Sequence, residues 1–139
     1  MNDSERLEKI QKVLDKLSIL ARDHTILIEG HKDKRALDSL GVIASDIFFV
    51  QADGGPMKAA EYVFGNSKKA VILTDWDKKG ELIAYELSVQ LKDMGIEVDT
   101  SIRSELIDLC ICYIKDVESL DSLVKRLHNK VRGPTGMIY

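Results

Sequence analysis

The sequence predicts an α/β fold in which helices cover both faces of one parallel sheet. Short apolar runs of strand type alternate with stretches of helical periodicity, which is the pattern of strand–helix–strand units. The first three of these runs are continuous rather than alternating, as in strands that are buried on both faces. The chain has 139 residues, of which 45% are hydrophobic and 31% charged, so one domain with a packed core is expected.

Four strands are predicted, each ending where polar residues or glycine begin. They cover residues 25–28, 47–50, 70–74 and 96–99. The expected spatial order is 2-1-3-4, with right-handed crossovers. In that order the first and third strands are neighbours, about 5 Å apart. Ligands of such sheets bind beyond the carboxyl ends of the strands.

Helices are predicted between and around the strands. They cover residues 4–21, 33–40, 57–64, 81–94, 103–112 and, from 116 or 119, a last helix to about 128. The expected division of the chain is an N-terminal amphipathic helix in 1–24, the α/β domain in 25–115, and a C-terminal helix with a basic tail in 116–139. Apolar residues of the first helix recur at three- and four-residue steps. This stripe packs on the domain itself or, as the alternative, forms a homodimer seam.

Net charge and terminal sequence exclude some classes of protein. The formal net charge is −3, so no overall basic excess announces a nucleic-acid partner, and local patches must carry that function. The N-terminus lacks a basic start followed by an apolar core, and no apolar run approaches membrane-spanning length. We therefore expect a cytoplasmic protein without a membrane partner. Cys110 and Cys112 lie in an apolar run and are predicted to be buried thiols.

Acidic residues follow two of the four predicted strands. Glu29 follows the first strand, and Asp75 and Asp77 follow the third. A carboxylate beside low-dielectric material is costly unless a neighbouring charge neutralises it. Two carboxylates two residues apart in an extended segment point the same way. Oxygen ligands without His or Cys favour Mg²⁺, with Mn²⁺ as the other candidate, so Glu29, Asp75 and Asp77 are the predicted metal site.

The same residues resemble the motifs of the Toprim domain family. Residues 29–33 resemble its Glu-Gly-x-x-Asp element, and residues 75–80 resemble its Asp-x-Asp-x-x-Gly element. Toprim domains occur in topoisomerases, bacterial-type primases and small ribonucleases that mature ribosomal RNA. The resemblance implies a Rossmann-like three-layer Toprim fold, Glu29 as general acid or base, and Asp75 and Asp77 as anchors of Mg²⁺. It further implies that Gly30 and Gly80 permit close turns and that Asp33 supports the site.

Basic residues follow the first three predicted strands and are predicted to bind phosphate. They are Lys32, Lys34, Arg35, Lys58, Lys78 and Lys79. Helix N-termini that begin at this edge add partial positive charge. Aromatic residues make up only 6% of the chain, so contact with the backbone of RNA or DNA is expected rather than reading of bases.

Two functions compatible with these features remain open. The first is Mg²⁺-dependent phosphoryl transfer on nucleic acid, of the nuclease or nucleotidyl-transfer type. The second is a non-catalytic Toprim module that binds nucleic acid or a protein. Cleavage that depends on Mg²⁺ would favour the first, whereas binding that survives EDTA without product would favour the second.

Overall fold

The computed structural model describes residues 1–132, which contain six helices and four strands. In chain order these are α1 (Asp3–Leu20), β1 (Thr25–Ile28), α2 (His31–Ser39), β2 (Ile47–Phe49), α3 (Pro56–Gly65), β3 (Lys69–Ile72), α4 (Lys78–Asp93), β4 (Glu97–Asp99), α5 (Ser101–Cys110) and α6 (Leu120–Arg132). The predicted end of the basic tail, 133–139, lies outside the described residues. No helix within 1–132 is long and apolar enough to cross a membrane.

All strand pairs of the sheet are parallel, and the strand order is β2-β1-β3-β4. This confirms the predicted three-layer α/β fold and the predicted order 2-1-3-4. Leu27 of β1 pairs in register with Ile72 of β3 and with Phe48 of β2. The segments that leave β1 and β3 therefore start side by side at one edge of the sheet.

The two faces of the sheet carry cores of different size. Side chains alternate along β1, so Ile26 and Ile28 face one layer and Leu27 faces the other. The larger core lies under α1, α2, α5 and α6, whereas only α3 and α4 cover the smaller one. Fewer helices therefore cover the second face of the sheet.

The apolar stripe of α1 is buried within the chain. Leu7, Ile10, Leu14 and Leu17 are all less than 9% exposed and belong to the larger core. Helix α1 packs against α5 and α6. A homodimer seam through this stripe is therefore wrong, because the chain's own helices already cover it.

Two helices begin earlier than predicted, and the acids near them take different roles. Helix α2 begins at His31 after Gly30, so Asp33 lies in its first turn and is not its N-cap. Helix α4 begins at Lys78, and Asp77 is its N-cap. Gly80, which was expected before the helix, lies inside the first turn of α4.

The two cysteines differ. Cys110 is buried at the end of α5, but Cys112 is exposed. The prediction for Cys112 was wrong because α5 ends at Cys110 and the following turn points this residue outward.

Candidate functional site

Glu29 lies at the end of β1 and is only 7% exposed. Its Oε2 accepts a hydrogen bond from the backbone N–H of Asp75 at 2.7 Å, and its Oε1 accepts one from Nε2 of Gln51 at 2.7 Å. The carboxylate of β1 is thus bound directly to the segment that leaves β3. Glu29 faces Asp75, as the neighbouring strands predict.

Asp75 occupies a half-buried position beside Glu29. Its Oδ1 accepts a hydrogen bond from the backbone N–H of Val117 at 2.9 Å. Burial raises the pKa of Asp75 to about 8, opposed by the Val117 N–H and assisted by the negative charges of Asp33 and Glu29. A carboxyl group in this state gains from any cation that can approach it.

Asp33 is the third acid of this group and is 5% exposed. Its Oδ2 accepts a hydrogen bond from the backbone N–H of Gly30 at 3.2 Å, which fixes the turn from β1 into α2. Burial raises the pKa of Asp33, and the negative charges of Glu29 and Glu118 add to this effect. We call Glu29, Asp33 and Asp75 the acidic cluster.

Asp77 does not join the acidic cluster. It is exposed, and its Oδ1 accepts a hydrogen bond from the backbone N–H of Gly80 at 2.7 Å, which caps α4. Between the two aspartates, Trp76 is buried, and its indole N–H donates to the carbonyl of Ile114 at 2.7 Å. The backbone therefore turns into the helix directly after Trp76. Asp75 stays beside Glu29, whereas Asp77 caps α4.

The two glycines of the motifs differ in what they permit. A Cβ on Gly80 would lie 1.9 Å from the carbonyl oxygen of Asp75, so only glycine fits there. The hydroxyl of Thr74 donates to the carbonyl of Gly80 at 2.8 Å and tightens the same turn. Gly30 has an extended backbone, and a Cβ there would meet nothing within 4 Å. The expected close turn is thus found at Gly80 and not at Gly30.

The side chains of the acidic cluster offer only carboxylate oxygens as donors. Within residues 1–132 no group of three or more His, Cys, Asp or Glu side chains is arranged to hold a metal ion. Mg²⁺, however, usually keeps several waters and takes only one or two carboxylates together with substrate phosphate. Glu29 and Asp75 are two such carboxylates, and burial together with the charges of Asp33 and Glu29 raises the pKa of Asp75.

Comparison with known proteins reveals related chains in archaea. The UPF0292 protein of Methanocaldococcus jannaschii is 33% identical over 128 residues, which cover 91% of this chain and 98% of that protein. The chain belongs to the UPF0292 family. A second member, from Methanosarcina barkeri, is 33% identical over 126 residues, which cover 90% of this chain and 87% of that one. No protein-family model matches the sequence.

A solved structure supports the fold of this UPF0292 protein. A protein from Aquifex aeolicus superposes with a TM-score of 0.66 over 78% of this chain and 95% of its own. The two sequences are 24% identical. The likeness shows that the three-layer arrangement recurs, and it carries no conclusion about activity.

The predicted phosphate-binding cations of the UPF0292 chain fall into two groups. Three of them form ion pairs at the surface: Lys32 with Glu118 at 3.9 Å, Lys34 with Asp38 at 2.8 Å, and Lys58 with Glu61 at 3.7 Å. Such exposed pairs are weak, so a phosphate could replace the acid.

The second group has no ion pair within the part of the chain that the structure describes. It consists of the exposed residues Arg35, Lys78 and Lys79. Lys78 and Lys79 start α4, and Arg35 lies on α2, which starts after β1. These cations are the ones whose charge is available to a ligand.

Sequence reasoning missed two side chains that hold the site together. Arg103 of α5 is 8% exposed, and it donates to the carbonyls of Thr74 and Asp75 at 2.8 and 2.7 Å and to Glu81 at 2.7 Å. The sequence could have indicated this role. Arg103 lies on the apolar face of α5 next to Ile102, where a charged side chain needs a buried partner. Gln51, the partner of Glu29, follows β2 and carries no comparable signal.

Proposed function

We propose that this chain is a Toprim-type domain that performs Mg²⁺-dependent phosphoryl transfer on nucleic acid. The observation that carries the proposal is the acidic cluster, in which Glu29 and Asp75 are hydrogen-bonded across the ends of neighbouring strands. Burial, assisted by the negative charges of Asp33 and Glu29, raises the pKa of Asp75 to about 8. Burying a charged carboxylate destabilises the fold, and strongly perturbed pKa values concentrate at functional sites.

Glu29 and Asp75 would hold the metal in this proposal. Asp33 would add its negative charge and fix the turn after β1, as its bond to Gly30 indicates. One carboxylate oxygen of Asp77 accepts the hydrogen bond that caps α4. We therefore propose that Asp77 orients Lys78 and Lys79 rather than binding the metal. Bound Mg²⁺ would supply Lewis-acid polarisation of a phosphoryl oxygen.

Glu29 is the residue suited to move a proton. Gln51 donates to its Oε1, and release of this exchangeable side-chain bond frees the oxygen to accept a proton from water or return one to a leaving oxygen. The bond from Asp75 N–H to Oε2 keeps the carboxylate oriented meanwhile. Arg103 is a positioning residue, because it holds the backbone carbonyl of Asp75 without being placed at the reacting atoms.

A nucleic-acid phosphate is the substrate class that fits the surrounding charges. Arg35, Lys78 and Lys79 are exposed on α2 and α4, the two helices that start beside the acidic cluster. The N-termini of α2 and α4 add partial positive charge to the same edge. Recognition through phosphates predicts that affinity falls steeply as salt rises.

The test is cleavage of structured RNA and DNA with and without Mg²⁺ by the wild type, Glu29→Gln and Asp75→Asn. Both substitutions keep the side-chain size, so the variants should fold and lose about a thousandfold or more of the rate. Asp15→Asn removes one exposed acid on α1 and should retain the rate of the wild type. Equal Mg²⁺-dependent cleavage by all four proteins would overturn the proposal.

A non-catalytic binding module is the second candidate, and one observation favours it. Both oxygens of Glu29 already accept hydrogen bonds, which is the arrangement of a structural carboxylate. In that case oligonucleotides should bind equally well in EDTA and in Mg²⁺, with no product formed. A gel shift under both conditions, followed by product analysis, separates the two functions.

A further inference from the structure

Helix α4 carries an apolar stripe that no part of the described chain covers. Leu82, Tyr85 and Val89 are 59%, 68% and 40% exposed. They are separated by three and four residues, so they share one face of the helix. The opposite face, with Leu87 and Leu91, is fully buried against the smaller core, so α4 is apolar on both sides.

Helix α3 extends this exposed surface. Met57 is 62% exposed, and it lies with the α4 stripe around an open hollow of about 360 Å³. The hollow is lined by Pro56, Met57, Tyr85, Glu86, Val89 and Gln90. Contiguous apolar surface of this kind marks an interaction site more often than isolated exposed side chains do.

Charges at the two ends of the stripe oppose the dipole of their own helix. Lys78 is the first residue of α4 and Asp93 is the last. A cation at the N-terminus and an anion at the C-terminus are each unfavourable for an isolated helix. Neither residue forms an ion pair within residues 1–132. A partner that brings the opposite charge to each end would remove both penalties.

The stripe is complementary to itself when two copies of α4 run antiparallel. Placing Leu82 opposite Val89 of a second chain brings Lys78 opposite Asp93, because each pair lies symmetrically about the point between Tyr85 and Glu86. The same register places Tyr85 opposite Glu86 of the second chain. A parallel arrangement would instead put Lys78 against Lys78 and Asp93 against Asp93. A two-fold interface needs this reciprocity, in which residue i meets j and j meets i.

We propose that the α4 stripe, together with Met57, is the interface of a homodimer in which two α4 helices pack antiparallel about a two-fold axis. The proposal goes beyond the proposed function and does not depend on it, since Lys78 pairs with Asp93 in the dimer and Arg35 and Lys79 remain available to a phosphate. A mainly aliphatic surface with acids at Glu86 and Asp93 suits a second protein surface better than a nucleic-acid strand, which would meet those acids as like charges.

Sedimentation velocity over a wide concentration range tests the dimer. The wild type should show twice the mass of one chain, and Leu82→Glu should weaken the dimer at least about a hundredfold, because it buries an unpaired charge in the interface. Ile19→Glu is the matched control, since Ile19 of α1 is 58% exposed against 59% for Leu82. It should leave the dimer intact, and thermal melting should show both variants folded.

Charge reversal tests the antiparallel register. Lys78→Glu alone sets two acids against each other at each end and should weaken the dimer about tenfold. Adding Asp93→Lys restores opposite charges and should return the dissociation constant to near the wild-type value. Failure of the double variant to recover would refute the antiparallel register even if a dimer exists.

Three further outcomes would overturn the proposal. The first is a monomeric wild type at every concentration. The second is a dimer that Ile19→Glu disrupts while Leu82→Glu does not. The third is an unchanged mass for Leu82→Glu accompanied by weaker binding of a single-stranded oligonucleotide, which would make the stripe a nucleic-acid surface. Because all of these readouts are masses or affinities, they are independent of whether the acidic cluster cleaves a substrate.

Discussion

Two aspartates that stand two positions apart, Asp75 and Asp77, lie in contrasting environments. Asp75 is half-buried, meets Glu29 and the Val117 N–H, and has its pKa raised to about 8. Asp77 is exposed and caps α4 through the N–H of Gly80. The acid that lies beside Asp75 is Glu29, which follows β1, and not Asp77, which belongs to the same motif as Asp75. Spatial neighbours, rather than membership of a sequence motif, therefore decide which carboxylate is available to a cation.

The largest expected effect concerns the turn that separates the two aspartates. Gly80→Ala places a Cβ against the carbonyl of Asp75, at 1.9 Å in the native backbone, so the turn must shift. We expect a loss of at least about 3 kcal/mol in the free energy of unfolding, or roughly 10 °C in Tm. Thermal unfolding followed by circular dichroism measures it.

Gly30→Ala is the control for that substitution. Gly30 has an extended backbone and open space at the Cβ position, so Tm should change by less than about 2 °C. Equal destabilisation by the two alanines would mean that the close approach at Gly80 does not shape the turn.

The second effect is a pH-dependent gain in stability from Asp75→Asn. Because the folded-state pKa of Asp75 is raised to about 8, the folded chain holds a proton that the unfolded chain releases near pH 4. The free energy of unfolding therefore falls as pH rises from about 4 to about 8, and the penalty persists above that. Asparagine avoids this penalty and can still accept the Val117 N–H.

The expected size follows from the half-buried position of the carboxylate. Asp75→Asn should melt roughly 5 °C above the wild type at pH 9 in EDTA, after allowance for solvent screening, and at nearly the same temperature at pH 4. Melting curves across this pH range measure the difference. A constant difference at all pH values would show that Asp75 does not titrate in this way.

The smallest effect concerns the cap. Asp77→Ala should cost about 1 kcal/mol, because Gly80 N–H loses its acceptor, and Tm should fall by roughly 3 °C. Asp77→Asn keeps a good capping side chain and should melt within about 1 °C of the wild type. If asparagine is as harmful as alanine, the charge of Asp77 matters more than its hydrogen bond.

The fold could be predicted from the sequence because three of its four strands are largely continuous apolar runs. Residues 25–28 and 70–72 are buried on both faces. Their sequence therefore shows no alternation of apolar and polar residues, as expected for central strands of a parallel sheet. Parallel pairing then brought Glu29 and Asp75 to the same edge, as expected. The partnership of these two residues followed from strand order alone.

The role of Asp77 could not be predicted, since it depends on where α4 begins. The sequence predicts a helix only from residue 81, which leaves Lys78, Lys79 and Gly80 outside it. In the structure Asp77 caps the helix and Lys78 is its first residue. Arg103 was detectable from its place on an apolar helix face, but its targets, the carbonyls of Thr74 and Asp75, depend on packing of α5 against the sheet. The α4 stripe likewise became visible only when the buried face of that helix was known.

The most direct test of the acidic cluster is calorimetric titration of Mg²⁺ and Mn²⁺ at pH 8 into the wild type, Asp75→Asn and Asp77→Asn. We predict that the wild type and Asp77→Asn bind with similar affinity and that Asp75→Asn binds at least about a hundredfold more weakly. Undiminished binding by Asp75→Asn, or no binding by the wild type, would contradict a cation site built on Glu29 and Asp75.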